Sequence, residues 1–298
     1  PGSYTVWTEL KDKEGILRSN DITLNVVALE NGTLLVDESF DSQLFPGTQY
    51  GGIWSLEDGK AQAVTEGDGW YLSNNQFSDF ALSADLTLKD GNAVGLTFRN
   101  TDNPSGNGYD LIIDAVDGKM KLCRRPYEAG WEIGSYTFSV EKNKPYHVDV
   151  IAEGDHFKVY LDGFLAIDAT DSRYTSGRIG LFGNKSTAQM DNVKIYSNAE
   201  VDENTELTIS IPDEFLFNGL STQASVMATL SSGDILDVTN RLEEFGITLE
   251  ASDPGVLSIE GSRITAVGDG EATLSAKMTT SSGDVVSNEI TVTTETLK

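Results

Sequence analysis

Phe80-Ala-Leu-Ser-Ala-Asp-Leu-Thr-Leu88 alternates large apolar residues with small or polar ones. A period of two is the signature of a strand with one buried face. Lys119-Met-Lys-Leu-Cys123 and Phe157-Lys-Val-Tyr-Leu161 repeat the pattern, and Asp162-Gly163 before Phe164 is a hairpin signal. Further turn signals stand at Asp58-Gly59, Asp90-Gly91, Asp117-Gly118 and Ser232-Gly233. No 12-residue window carries a helical stripe. The best candidate, Asn240–Phe245, allows two turns at most. An all-β chain of many short strands is expected, hence β-sandwiches, with less than a tenth of the residues helical.

At 298 residues the chain is long for one domain, and 39% hydrophobic residues are enough to build ordinary cores. No stretch approaches the ~18 apolar residues of a membrane-spanning helix, so membrane insertion is not expected. Lys+Arg 21 against Asp+Glu 47 leaves a net charge of −26. Such a surface repels phosphate backbones, which argues against nucleic acid and leaves neutral sugars or a cation as better ligands. Cys123 is the only cysteine, so no intrachain disulfide forms. With only His147 and His156, a His-rich zinc site cannot be built. A chain opening on Pro1 is expected to be a mature product or a piece of a longer protein.

An internal repeat sets the domain boundaries. At a constant offset of 268, Gly2–Asn25 overlays Gly270–Thr293 without gaps, with seven identities: Gly2/Gly270, Thr5/Thr273, Gly15/Gly283, Ser19/Ser287, Asn20/Asn288, Ile22/Ile290 and Thr23/Thr291. The pattern reads strand, glycine turn, strand. Three units are expected: 1–30, the last strands of a truncated small β-domain; 34–197, a larger sandwich; and 201–298, a complete small β-domain. The polar stretch 197–204 joins the last two.

The last unit carries Ser252-Asp-Pro-Gly-Val256, Ile264-Thr-Ala266 and Ala272-Thr-Leu-Ser-Ala276 in order. It resembles the bacterial Ig-like domains of group 2, which implies an Ig-like β-sandwich serving as a spacer or adhesive stalk. The middle unit carries Leu35–Phe40, Gly52-Ile-Trp-Ser-Leu-Glu-Asp-Gly59, Gly67-Asp-Gly-Trp-Tyr-Leu-Ser73, Gly95-Leu-Thr-Phe-Arg99, Asn107-Gly-Tyr109, Val159-Tyr-Leu-Asp-Gly163 and Gly180-Leu181. Their order is similar to family 66 carbohydrate-binding modules, concanavalin-like β-sandwiches attached to fructan-degrading enzymes of glycoside hydrolase family 32.

That resemblance implies a fructose pocket around Asp68, Arg99, Tyr109 and Asp114. The chemistry is apt, because vicinal hydroxyls suit planar bidentate groups and carboxylates on a rigid sheet. Arg99 is expected at the floor of a shallow pocket, sharing a face with Gly95 and Thr97. A surface salt bridge to Asp114 or Asp85 is its plainer alternative. The family carries a Trp-Asp pair where this chain has Asn184 and Lys185. Trp70, or Tyr127 and Trp131 in the loop 124–131, are candidates to replace the missing ring. That loop is either a contact surface or a segment anchored through Trp131. The resemblance further implies a structural Ca2+ between the first and last strands, with Glu38 and Asp191 as oxygen ligands.

Neither histidine lies beside a Gly-x-Ser-x-Gly elbow, so no catalytic residue is assigned. The expected function is a non-catalytic module that binds a polysaccharide or oligosaccharide. It would target a catalytic glycoside hydrolase domain in the same parent chain, in a secreted or cell-surface bacterial protein. The alternatives are a structural or adhesive stalk element and, behind it, a hydrolytic sandwich.

Overall fold

The structure is a computed structural model that describes residues 2–6, 9–12, 15–19, 22–26, 32–101 and 107–297. Residues 1, 7–8, 13–14, 20–21 and 27–30 of the expected first unit lie outside the described residues. Every regular element among the described residues is a strand. Asn240–Phe245, the best helical candidate at two turns at most, forms turns and no helix. Six residues cannot offset the cost of helix nucleation.

Residues 33–197 form two facing sheets. Two 21-residue strands, Phe80–Asn100 and Gly177–Ser197, pair antiparallel and run through both. In the back sheet, the first half of Phe80–Asn100 pairs with Pro145–Glu153, which leads to His156–Leu161 and Phe164–Thr170. In the front sheet, its second half pairs with Gly108–Asp114, then Lys119–Arg125 and Glu132–Thr137. Asp68–Phe77 and Gly47–Tyr50 extend the front sheet on the far side of Gly177–Ser197. Asp90-Gly91, expected as a turn, is a bend inside one strand. The register slips between Leu88 and Asp90, and Gly91 has φ 92°. A side chain at Gly91 would run into the Lys185 backbone oxygen. The bend folds the strand over the core, so that Phe80 and Phe98 meet ring to ring at 5.7 Å.

Alternation then sorts the front sheet. Leu181, Leu96, Leu111 and Leu122 stand opposite one another across four strands and face the core, all buried. Each contributes ~1.5–3 kcal/mol of burial. The neighbouring row, Trp70, Phe182, Gly95, Ile112 and Lys121, faces outward.

Residues 201–297 form a second all-β part. Strands 206–210, 225–229 and 235–237 continue the sandwich's sheet through the pair Ile235↔Gln76; 221–223, 263–266 and 257–260 form a three-stranded sheet, and 215–217, 290–295, 270–280, 247–251 and 283–286 a five-stranded one. Polar contacts join it to the sandwich. Asp234 Oδ1 accepts from both the backbone N and Oγ of Ser78 at 2.8 Å, and Asp237 N donates to Asn75 Oδ1 at 2.7 Å.

The offset of 268 recurs in the backbone pairing. Gly2↔Val26 and Val6↔Ile22 correspond to Gly270↔Thr294 and Leu274↔Ile290, and Asp12↔Gly15 corresponds to Thr280↔Gly283.

Candidate functional site

Two adjacent rows of the front sheet build one depression on its outer face. The first contributes Phe182, Ile112 and Lys121. The second runs Asp68, Asn184, Ala93, Asp114 across four strands. Tyr127 and Trp131 close one side from the loop after Lys119–Arg125. Together these nine residues enclose about 170 Å³. At ~30 Å³ per water that is the room of about six waters, or one sugar ring.

Ala93, Ile112 and Phe182 make an apolar floor, part of an outer cluster with Trp70, Leu72 and Cys123. Gly95 between Phe182 and Ile112 adds nothing above it. The polar groups stand at two ends. At one, Asn184 Nδ2 donates to Asp68 Oδ1 at 2.6 Å, and Asn92 Nδ2 donates to Asn184 Oδ1 at 3.2 Å. At the other, Lys121 Nζ donates to Asp114 Oδ2 at 2.8 Å and also to Asp117. Asp114 Oδ1 accepts from Val116 N at 2.8 Å and Asp117 N at 3.0 Å. Burial alone would raise the Asp114 carboxyl. The Lys121 ammonium and the two backbone N–H groups outweigh it and hold Asp114 below the usual carboxylate range. Burial would likewise lower Lys121, but its two carboxylates push it up. Both groups are therefore charged at neutral pH.

The wall is fixed from beneath. The Tyr127 and Trp131 rings meet at 5.2 Å, and Lys121 Nζ lies 5.9 Å from the Trp131 ring. Tyr127 is 41% exposed, yet its hydroxyl reaches inward to Asp110 Oδ2 at 2.7 Å. The loop is thus both anchored and presented. Its two arginines are not contact groups: Arg124 pairs with Asp171, and Arg125 is buried with Nε 2.7 Å from Asp110 Oδ2.

Of the five expected binding residues, Asp68, Asp114 and Trp131 meet here and two do not. Arg99 is 0% exposed. It donates to the carbonyls of Ser78 (2.9 Å), Gly154 (2.7 Å) and Tyr174 (3.1 Å) and pairs with Asp79 at 3.2 Å. A slip in register between Thr97 and Asn100, with Arg99 at φ 46°, breaks the alternation that put it on the outer face. Its guanidinium lies 5.1 Å from the Phe157 ring instead. Tyr109 is fully buried between the sheets, against Phe98 and Phe157, and donates to Asp171 Oδ1 at 2.7 Å. Period two in Gly108–Asp114 already separates it from Asp114, because an odd spacing of five puts them on opposite faces. The same parity points to Ile112, and the facing strand to Lys121; neither was expected at the site.

The two expected calcium ligands, Glu38 and Asp191, lie on strands that both pair within the sandwich. Asp191 accepts from Lys60 Nζ and from Asn192 N, and Glu38 stands opposite Val193 in the strand pair. No group of three or more His, Cys, Asp or Glu among the described residues is arranged to hold a metal.

Outside the depression, Ser83, His147 and Asp85 mimic a hydrolytic triad. Ser83 Oγ is 3.3 Å from His147 Nε2, and His147 Nδ1 is 2.7 Å from Asp85 Oδ1. Asp149 Oδ1 also lies 3.1 Å from Nε2. The hydrogen bond to Asp149, then that to Asp85, push the imidazole up to about 9. A histidine already protonated at neutral pH cannot take the serine proton.

The model of the 3-keto-alpha-glucoside-1,2-lyase-like domain matches residues 29–196, more than half of the chain. The chain belongs to that family. Its 3-keto-alpha-glucoside-1,2-lyase-like domain holds all nine residues of the depression. Over 188 residues the chain is 35% identical to levanase of Bacillus subtilis (strain 168), covering 62% of this chain and 27% of levanase. The chain thus spans about a quarter of that relative's length. Among solved structures, it is 37% identical to carbohydrate-binding module CBM66 from Bacillus subtilis, covering 51% of this chain and 96% of that one, with a TM-score of 0.48. A Bacillus subtilis protein with a galectin-like fold is 15% identical over 55% of this chain and 96% of its own, with a TM-score of 0.45. No helix among the described residues is long and apolar enough to cross a membrane.

Proposed function

We propose that the 3-keto-alpha-glucoside-1,2-lyase-like domain of this chain is a non-catalytic glycan-binding module that takes one neutral sugar residue between Asp68 and Asp114. The observation that carries this reading is the make-up of the depression. Carboxylates at both ends accept from ring hydroxyls, Asn184 and Lys121 donate, and an apolar floor and aromatic wall meet the C–H face. Similarity to levanase supports a fructan as the first ligand to try. The parent protein would be an extracellular bacterial glycoside hydrolase. The part 201–298 would be an Ig-like spacer, consistent with the repeated strand register.

Bond cleavage is disfavoured by the charge state of the site. A glycosidic acid needs a carboxyl raised toward neutrality. Asp114 is held the other way. One small ring in a shallow depression with few polar contacts supports a Kd on the order of 0.1–1 mM, strengthened by multivalency.

Titration calorimetry against levan, inulin and a panel of neutral glycans tests the proposal. Binding that disappears in Asp114→Ala upholds it. If none of the glycans binds the unaltered chain, the stalk reading takes its place.

A further inference from the structure

We infer that Asp110 is a positioning residue for the depression: from a place without solvent access it holds the 126–131 loop down as the pocket's aromatic wall. This rests on the sugar-binding reading above. Asp110 lies between Thr97 and Cys123 in the cross-strand row behind Ile112, on the same outer face as the floor, and is 0% exposed. A lone carboxylate there carries a steep desolvation cost. Arg125 Nε lies 2.7 Å from its Oδ2, and Arg125 Nη2 donates to Thr97 Oγ1 at 2.8 Å. The guanidinium covers the ring of Trp70, the neighbour of Phe182 in the outward row, at 5.3 Å. One further bond leaves this buried group for the pocket: Tyr127 Oη to Asp110 Oδ2, 2.7 Å.

The rest of the loop explains why that bond matters. Within it, Glu128 N donates to the Pro126 carbonyl and Trp131 N to the Glu128 carbonyl, so the loop curls on itself. Arg124 N to the Trp131 carbonyl, 2.6 Å, closes its base. Between base and tip, the Tyr127 hydroxyl ties the wall to the sheet, and Trp131 rests against the Tyr127 ring. Burial, then the Asp110 charge, push the Tyr127 phenol far up, so it stays a proton donor. The Tyr127 hydroxyl thus latches the loop to Asp110, whose carboxyl is pushed up by burial and pulled back by Arg125 and by this bond. A loop that spends time lifted has no wall for the sugar, and apparent affinity falls with the fraction seated.

The test uses the full chain with Asp110→Asn and Tyr127→Phe. The first variant leaves Arg125 facing a neutral partner and can cost the fold. The second keeps the ring and removes only the latch. The readouts are hydrogen exchange at amides 127–131, the melting temperature, and the affinity and on-rate for a fructo-oligosaccharide cut from levan. For Tyr127→Phe we expect loop amides to exchange at least fivefold faster. Affinity should drop about tenfold, mainly through a slower on-rate, with the melting temperature within a few degrees of the unaltered chain. Unchanged loop exchange, or faster exchange with unaltered affinity, overturns the positioning role while the sugar reading stands. An unaltered chain that binds no sugar overturns that reading and this role with it.

Discussion

Lys121 Nζ lies 2.8 Å from Asp114 Oδ2, and the pair joins two neighbouring strands at one end of the depression. Side chains of opposite charge, on residues seven apart in sequence, become one polar group of the site. Because backbone N–H groups occupy the other Asp114 oxygen, the carboxylate has a fixed orientation and a fixed charge. The pH dependence follows from that. A carboxyl whose folded pKa is depressed stabilises above its unfolded value, and the contribution is lost as pH falls through the lower folded value. Sugar binding through Asp114 should therefore persist on acidification through the ordinary carboxylate range near pH 4 and fail only below it. Calorimetry at stepwise lower pH checks this; loss of binding already at pH 5 would count against it.

Charge should also set ligand class. Asp68 and Asp114 end the row that runs through Asn184 and Ala93, and the lysine lining the pocket, Lys121, already serves Asp114 and Asp117. Uronic-acid or sulfated oligosaccharides should bind at least ~10-fold more weakly than neutral ones of equal length, and added salt should narrow the gap. A competition assay at two ionic strengths reads this directly.

Arg99 should behave as a structural residue. It has no solvent access, and four oxygens depend on it. Truncation to alanine removes a buried charge and takes this donor from three carbonyls, while Asp79 Oδ1 keeps Gly154 N; the loss costs about 3 kcal/mol or more. Urea denaturation should show that loss. The fraction that stays folded should bind sugar with unaltered affinity, because Arg99 does not line the depression.

His147 predicts the opposite pH trend from Asp114. Its folded pKa, about 9, is raised above the ordinary value near 6.5, first by Asp149 and then by Asp85. Its contribution is complete below pH 6.5 and is lost as pH rises through about 9. Replacing it with glutamine should flatten stability against pH between those limits. A proton NMR titration with a His147 midpoint near 6.5 would refute the assignment.

The joint should matter to stability. Asp234 is buried, and its carboxylate serves Ser78 N, Ser78 Oγ and, at 3.2 Å, Ser197 Oγ across the boundary. Asp234→Ala leaves these donors without their partner and should cost about 1–3 kcal/mol in urea unfolding.

Much of this protein was legible in the sequence, because strand formation is local. Alternation at Phe80–Leu88 needs no knowledge of the partner strand, and it correctly assigned the buried face of Leu82, Ala84, Leu86 and Leu88. The repeat at offset 268 was legible for the same reason, since equal residue patterns pair in equal register. Asp68 and Asp114 came from the family resemblance, and strand parity in Gly108–Asp114 puts Ile112 on the face of Asp114.

Tertiary structure decided the rest. The strand through Asp90-Gly91 looks like two strands and a turn until the opposing sheet shows that it bends and continues. Arg99 satisfies parity on paper, but a bulge of one or two residues reverses a side chain's face, and nothing in Thr97–Asn100 announces it. Tyr127 and Trp131 belong to the site because Asp110, on another strand, lies beneath their loop. Local pattern sets which way a strand's side chains alternate. Bulges, bends and loop anchors depend on contacts between residues far apart in the chain, and those determine which alternating faces meet to form a pocket.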